Sequence, residues 1–238
     1  MPVQDSEKLV LRNDSGAIAE LTINRPGAYN SLSIACMEAL TSEFESLAQD
    51  KEISVVILSG AGKGFCAGHD LKEMRSNPGK EFYEKTFDTC SRLMMSIVGC
   101  PKPVIAKVHG VATAAGCQLV ATCDLAVADE GAGFATPGVN IGLFCSTPMV
   151  ALSRNVSRKH AMEMLLTGDF ISAGRAYEIG LVNRVAPSGD LERVTRELAR
   201  KIASKSPLTL RIGKRAFYEQ ADLDLRSAYA YCSRVMVE

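Results

Sequence analysis

The feature that most constrains the fold is an unbroken apolar run, SVVILSG at residues 54–60, between two stretches with helical periodicity. A strand that is apolar at every position has both faces covered, which is typical of a parallel sheet with helices on either side. Three further strand-like segments follow, each after a helical stretch, at residues 103–110, 124–130 and 181–187. Strands that alternate with helices favour α/β crossover units over a sandwich or a helix bundle.

Local signals predict the elements before this run. Residues 8–26 predict a hairpin with its turn at Asn13–Gly16, because alternating apolar residues flank a turn-rich segment. Ser33 is placed to cap a helix that carries one buried apolar stripe. The stripe is formed by Met37, Leu40, Phe44, Leu47 and Ala48.

The last third of the chain changes character and is predominantly helical. Ser172, Asp190 and Ser206 each precede a stretch with helical periodicity and are predicted N-caps. We therefore divide the chain into an α/β core at residues 1–187 and a helical C-terminal part at residues 188–238.

Composition excludes several classes of protein. The 27 basic and 27 acidic residues cancel, so the chain has no overall field that would attract nucleic acid or anionic lipid. No run approaches the roughly 18 apolar residues that a membrane span needs. Eight scattered cysteines without a CxxC pair, with three widely separated histidines, predict free buried thiols in a reducing compartment and no metal site. The opening MPVQDSEKL has the character of neither a secretion signal nor a transit peptide.

Two loops rich in small residues are the candidate functional segments. Gly60–Asp70 and His109–Gln118 each follow a predicted strand and precede a predicted helix. Small side chains let a ligand approach the backbone, and amides at the start of a helix carry a partial positive charge. Tight turns and close helix packing would explain the same pattern. Neither loop has the GxGxxG or GxxxxGK[ST] spacing, so no nucleotide-phosphate site is indicated.

Four segments in order resemble the enoyl-CoA hydratase/isomerase (crotonase) superfamily, and together they cover most of residues 9–215. The resemblance implies a repeated ββα spiral core, a helical C-terminal trimerisation region, and an acyl-CoA site that needs no further cofactor. It also implies a homotrimer or a dimer of trimers in mitochondrial fatty-acid and lipid metabolism. The segments are LTINRPGAYNSLS (21–33), GKGFCAGHDLKEM (62–74), PKPVIAKVHGVATAAGCQLVATCDLAVADEGAGFATP (101–137) and AMEMLLTGDFISAGRAYEIGLVNRV (161–185).

The resemblance also implies roles for individual residues. The acyl-CoA carbonyl would lie between the backbone amides of His69 and Ala115, which form an oxyanion hole. Lys72 would meet a CoA phosphate, although a solvated helix position explains it equally well. The implied substrate-binding positions are Ala67, Gly68, Asp70, Leu71, Lys72 and Gly116.

The positions at which the family carries its two catalytic glutamates hold Gln118 and Gly138, and the alternative aspartate position holds Ser146. A glutamine cannot accept a proton, and glycine offers no group at all. We therefore expect a pseudoenzyme that binds acyl-CoA without hydrating it, and in which two restored glutamates would act as one unit. The segment FCSTP at residues 144–148 departs from the family's glycine-rich stretch and predicts a capped helix start.

The sequence alone leaves two alternative functions open. A histidine in the first loop resembles the arrangement in some decarboxylases of the superfamily, so His69 is consistent with decarboxylation or thioester hydrolysis. The other alternative is an interaction or RNA-binding protein with a vestigial pocket, which the zero net charge disfavours. Asn140 is a candidate hydrogen-bond donor, whereas Cys117 and Cys145 are better explained as structural thiols.

The C-terminal helices are expected to supply the subunit contacts. Apolar stripes at residues 190–204 and 207–219 predict buried faces between subunits. The chain ends at RVMVE, whereas relatives continue into another helix, so we expect part of the CoA site to lie beyond this sequence.

Overall fold

The computed structural model describes residues 8–238, and the prediction made for the opening residues falls largely outside this range. The strands are β1 Val10–Ser15, β2 Ile18–Ile23, β3 Val55–Gly60, β4 Val104–Val108, β5 Val111–Thr113, β6 Leu125–Asp129, β7 Gly133–Ala135, β8 Ile171–Ser172 and β9 Arg184–Ala186. The main sheet has the order β1-β2-β3-β4-β6-β9, and a smaller sheet has the order β5-β7-β8. In the main sheet only β1 and β2 pair antiparallel.

Helices connect most of these strands. They are α1 Ile34–Gln49, α2 Leu71–Ser76, α3 Lys80–Gly99, α4 Ala115–Thr122, α5 Pro148–Asn155, α6 Arg158–Thr167, α7 Ala173–Glu178, α8 Leu191–Ala203, α9 Pro207–Ala221 and α10 Leu225–Val235, with 3₁₀ helices at Pro26–Ala28 and Pro137–Ile141. Between residues 8 and 238, none of the helices has the length and apolar character needed to cross a membrane.

Successive turns of the chain add one strand to each sheet. β4 joins the main sheet and β5 the smaller one, and β6 and β7 repeat this step in parallel register. The preceding turn begins with β3 and reaches the smaller sheet through a single bridge between Cys66 and Ala112. This repeat is the predicted ββα spiral, and the α/β fold class is confirmed.

The apolar run in β3 has both faces covered, as predicted. Val56 and Leu58 belong to a core cluster that α1, α3 and α4 complete on one face of the main sheet. Val55 and Ile57 belong to a second cluster on the opposite face. Because successive strand side chains point to opposite faces, one unbroken run supplies both cores.

Helix α8 covers the second face within the same chain, so the expectation that its apolar stripe is buried between subunits is wrong. Leu191, Val194, Leu198 and Ile202 pack against the second cluster. Arg196 Nη2 also bonds the Glu20 carboxylate of β2 at 2.7 Å, which holds the helix on the sheet. The stripe that predicted an interface is therefore already covered. The division of the chain at residue 187 stays a prediction.

Side-chain hydrogen bonds confirm three of the four predicted serine and aspartate N-caps. The hydroxyls of Ser33, Ser172 and Ser206 accept hydrogen bonds from the first turns of α1, α7 and α9. Asp190 caps nothing, because its backbone is already helical and its carboxylate pairs with Arg193 at 2.7 Å. The cap predicted for α5 is also missing, since the Thr147 side chain makes no capping bond, although the helix begins at Pro148.

The predicted hairpin forms with a tighter turn than expected. β1 continues through Ser15, which pairs with Ile18, so only Gly16 and Ala17 make the turn. Gly16 has φ +58°, a left-handed conformation that two-residue hairpin turns require and glycine adopts without strain. The prediction of a turn at Asn13–Gly16 is therefore wrong at Asn13, Asp14 and Ser15.

Helix α9 is anchored to the core by a buried lysine. Lys214 Nζ donates to Asp124 Oδ2 at 2.7 Å and to the carbonyl oxygens of Ile97 and Lys102 at 3.0 Å. Tyr218 donates to the second Asp124 oxygen at 2.9 Å. The C-terminal helices are thus held in one orientation by a satisfied polar cluster.

Candidate functional site

The structure brings the two small-residue loops together. Cys66 N donates to Val111 O at 3.1 Å, and Thr113 N donates back to Cys66 O at 3.0 Å. The Thr113 hydroxyl adds a bond to Ala67 O at 3.0 Å. The loop after β3 and the start of α4 are therefore joined by backbone and side-chain hydrogen bonds.

Two glycines allow this close approach. A Cβ on Gly116 would lie 2.0 Å from Cys66 O, and one on Gly68 would lie 2.9 Å from the Ala114 Cβ. Gly68 also has φ +98°, which residues with a side chain rarely adopt. Both were implied substrate-binding positions, and here they are packed between the loops.

Two backbone amides at this junction have no protein partner. Within residues 8–238, neither the His69 N–H nor the Ala115 N–H donates to a protein acceptor. Ala115 is the first residue of α4 and is fully buried. A buried N–H without a partner costs about 1–3 kcal/mol, and an oxygen atom of a ligand would satisfy it.

The residue before Ala115 has a strained backbone. Ala114 has φ +49° and ψ −117°, far from the regions that residues with a Cβ favour. Its own N–H donates to Ala135 O at 2.9 Å, which fixes the turn from β5 into α4. Strain of this kind clusters at functional sites, where the surrounding structure maintains it.

A cavity of about 430 Å³ lies beside the two amides, within the size range of small-molecule sites. Ala67, His69, Ala115 and Gly138 contribute to its wall, as do Asn140, Cys145 and Ser146. The larger apolar side chains of the wall are Leu71, Met74, Phe87, Ile141, Leu143 and Phe144.

His69 is the one imidazole in the cavity wall. Its ring packs edge-on against Phe87 with 5.3 Å between centroids, and its Nε2 is buried with no hydrogen-bond partner in the described part of the chain, residues 8–238. Burial disfavours the charged form and lowers the pKa of His69 to about 4. The side chain is therefore neutral at pH 7.

Gln118 does not contribute to the cavity wall. It is buried in α4, and its Oε1 accepts a hydrogen bond from Cys90 Sγ at 3.8 Å. The side chain at the first glutamate position is therefore directed toward α3.

Gly138 does line the cavity, but the space beside it is filled. A Cβ there would lie 2.4 Å from Leu143 O and 2.8 Å from Cys145 Sγ. The expectation that a glutamate could be restored at this position therefore conflicts with the segment that replaces the family's glycine-rich stretch.

Asp70 is committed to structural contacts. It pairs with Arg25 at 2.7 Å and accepts from the Lys72 and Glu73 amides at the start of α2. Partial burial opposes its ionisation, but the bonds from Arg25 and the amides outweigh that effect and lower its pKa. Lys72 itself is exposed on α2. Of the implied binding side chains, only Ala67 and Leu71 reach the cavity.

The cysteines are free, and seven of the eight are buried. Burial raises the pKa of Cys117 to about 12 and also raises that of Cys145. Both therefore remain protonated at pH 7, which favours the structural explanation for these thiols. Residues 8–238 contain no cluster of three or more ligands that could hold a metal ion.

Sequence reasoning missed much of the cavity wall. Phe87 is half-buried at the edge of the buried face of α3, and Met74 lies in the short helix α2. The one available signal was the run of large apolar residues at 141–144, in a segment with turn character. Such residues rarely stay exposed in a loop without a ligand or partner to contact.

Residues 13–238 match the family described as enoyl-CoA hydratase/isomerase. The mouse protein named enoyl-CoA hydratase domain-containing protein 3, mitochondrial, which the motifs quoted above also suggest, is 45% identical over 99% of this chain and 78% of its own length. The 2,3-dehydroadipyl-CoA hydratase of Escherichia coli K12 is 36% identical over 94% of this chain and 87% of its own. The crystal structure of an enoyl-CoA hydratase from Mycobacterium smegmatis is 52% identical with a TM-score of 0.95, covering 97% of this chain and 90% of that one. The chain therefore belongs to the enoyl-CoA hydratase/isomerase family.

Proposed function

We propose that this protein binds fatty acyl-CoA thioesters at the junction of the two loops and does not hydrate enoyl-CoA. The single observation that carries the binding half is the pair of partnerless amides, His69 and Ala115, beside an apolar cavity. A thioester carbonyl accepts two hydrogen bonds, and the acyl chain then has an apolar wall to contact.

The absence of hydration follows from the two glutamate positions. Gln118 cannot relay a proton and bonds Cys90, while Gly138 offers no side chain. Asp70, a potential substitute base, is held by Arg25 and by the start of α2. Each proton transfer contributes roughly 10² to 10⁴ in rate, so the loss of both removes most of the chemistry.

Calorimetric titration with octanoyl-CoA tests the binding half. Leu71 lines the cavity and Leu11 lies on β1, and both are 42% exposed, so the same substitution can be compared at the two positions. Leu71→Asp should weaken the binding of octanoyl-CoA by about tenfold or more, because it places a negative charge next to the apolar acyl chain and the anionic CoA part of the ligand. Leu11→Asp should leave the affinity unchanged. No heat from wild type at millimolar ligand would refute the proposal.

A direct assay of crotonyl-CoA hydration tests the catalytic half. Wild type should hydrate crotonyl-CoA no faster than an unrelated protein at the same concentration. Robust turnover by wild type would mean that another group supplies the proton transfers.

One observation favours a second candidate, a different reaction of the thioester such as its hydrolysis. His69 Nε2 is buried without a partner beside the proposed carbonyl site. A neutral imidazole can donate or accept one hydrogen bond to an attacking or leaving group. Release of free CoA from octanoyl-CoA by wild type, abolished in His69→Ala, would support this candidate, and equal background rates would exclude it for that substrate.

We also propose a homotrimer or a dimer of trimers. With α8 covered within the chain, α9 and α10 still carry several large exposed apolar side chains, among them Phe217 at 65%, Leu225 at 76% and Tyr229 at 70%. Surface of this kind is typical of subunit contacts. Light scattering should give a trimer or hexamer, and Phe217→Glu with Leu225→Glu should lower the mass. A wild-type monomer would contradict the assembly.

The cellular location we propose is the mitochondrion, in fatty-acid and lipid metabolism. The support is the name of the mouse relative, which describes that protein as mitochondrial. Fractionation of cells that express the complete gene product, with matrix and cytosolic markers, would decide it.

A further inference from the structure

Among residues 8–238, the cavity wall contains no charged side chain. Its seventeen residues include no Asp, Glu, Lys or Arg, and its polar members are His69, Asn140, Ser146 and Thr147. A site that recognises an anionic group on an acyl chain would need a cation or several converging donors. Four uncharged polar residues among apolar ones do not supply a charge.

The two titratable side chains in this wall are also uncharged at neutral pH. Burial lowers the pKa of His69 to about 4, so its imidazole carries no positive charge at pH 7. Burial also raises the pKa of Cys145, which keeps its thiol protonated. The wall therefore stays electrically neutral around pH 7.

The segment after the 3₁₀ helix Pro137–Ile141 gives the wall its apolar character. Leu143 N donates to Gly138 O at 2.9 Å, which folds the segment back over the second glutamate position. Leu143 and Phe144 then line the cavity, and Cys145 fills the space next to Gly138. An apolar segment thus occupies the place where the family pattern has a carboxylate.

From this wall we infer that the acyl group is uncharged and apolar, as in a simple fatty acyl-CoA, and that dicarboxylic acyl-CoAs are rejected. This rests on the proposed function, because it assumes that the acyl chain enters the cavity beside His69 and Ala115. A terminal carboxylate would exchange water for apolar contacts without a counter-ion, whereas a methyl group would gain from the same contacts. The acyl group named in the E. coli relative, dehydroadipyl, is of the rejected class.

The test compares hexanoyl-CoA with adipyl-CoA by calorimetry on wild-type protein, with free CoA as reference. The two acyl groups have six carbons each and differ in whether the chain ends in a methyl group or a carboxylate. We expect adipyl-CoA to bind at least about 100-fold more weakly than hexanoyl-CoA. Equal affinities would overturn the inference, since they would place the chain end in water. Hexanoyl-CoA that binds no tighter than CoA would also overturn it, whereas no binding by any of the three would refute the proposed function itself.

A pair of variants at one exposed position separates charge from shape. Ser146 lines the cavity and is exposed, so both Ser146→Lys and Ser146→Met should fold. The two new side chains are unbranched and similar in length, and they differ in charge. Ser146→Lys should bind adipyl-CoA about tenfold more tightly than Ser146→Met, with hexanoyl-CoA changed by less than about threefold. Identical adipyl-CoA affinities in the two variants would contradict charge as the cause of selection.

Discussion

Replacing Gly138 with alanine should destabilise the protein although it adds only one methyl group. The new Cβ would lie 2.4 Å from Leu143 O and 2.8 Å from Cys145 Sγ. Non-bonded carbon contacts are optimal near ~3.5–4.0 Å, so the methyl overlaps a backbone oxygen by about 1 Å. That oxygen cannot retreat freely, because Leu143 N is bonded to Gly138 O at 2.9 Å.

The magnitude follows from the cost of overpacking, which is typically about 1–3 kcal/mol. We expect the upper half of that range, a loss of about 2–3 kcal/mol in the free energy of unfolding, because one partner is backbone. Gly213→Ala is the matched control, since Gly213 is exposed in α9 with no atom within 4 Å of the new Cβ. That substitution should stabilise by about 0.5–1 kcal/mol through helix propensity. Urea denaturation of both variants should therefore give shifts of opposite sign.

The same contacts predict that the hydratase site cannot be rebuilt by substitution alone. Gln118→Glu with Gly138→Glu should fail to hydrate crotonyl-CoA, because the Cβ common to alanine and glutamate already collides. A Gly138→Ala variant with the free energy of unfolding of wild type would refute this reasoning, since the segment at residues 143–145 could then move away from the new Cβ without loss of stability. Measurable hydration by the double variant would refute it as well.

Three further predictions concern the surroundings of the site. Ala114→Gly should raise the thermal midpoint with a gain of about 1 kcal/mol, because glycine tolerates φ +49°; a lower midpoint would contradict the strain. Lys214→Met should lower the free energy of unfolding by about 3 kcal/mol, measured by urea denaturation, because Asp124 would lose its buried cation. A decrease below about 1 kcal/mol would contradict the anchoring of α9 by Lys214. The free energy of unfolding of wild type should fall as pH falls from about 6.5 to about 4, because His69 is protonated in the unfolded chain at a higher pH than in the folded protein. His69→Gln should reduce this pH dependence, and equal pH dependence in the two proteins would contradict the lowered pKa of His69.

The sequence predicted those elements whose residue pattern and hydrogen-bond partners lie within a few positions of each other. The run in β3 predicted a strand covered on two faces, because side chains alternate along any strand. Ser33 and Ser172 cap helices through amides three residues away, a reach that the spacing alone sets. Several motifs in order also indicated the family and its fold. Asp190 failed as a cap because Arg193 competes for the same carboxylate.

The stripe on α8 was recognised correctly, but its partner was not, because amphipathicity specifies that a face is buried and not what buries it. Which side chains of the candidate site are held by structural contacts depends on segments that are far apart in the sequence. Arg25 reaches Asp70 across 45 positions, and Gln118 meets Cys90 on another helix. The sequence alone predicts that two proton-transfer groups are missing, because Gln118 and Gly138 stand where the family pattern has glutamates. The tertiary structure alone decided that Gly138 has no room for one, because the space beside a residue is set by whichever chain segment packs there.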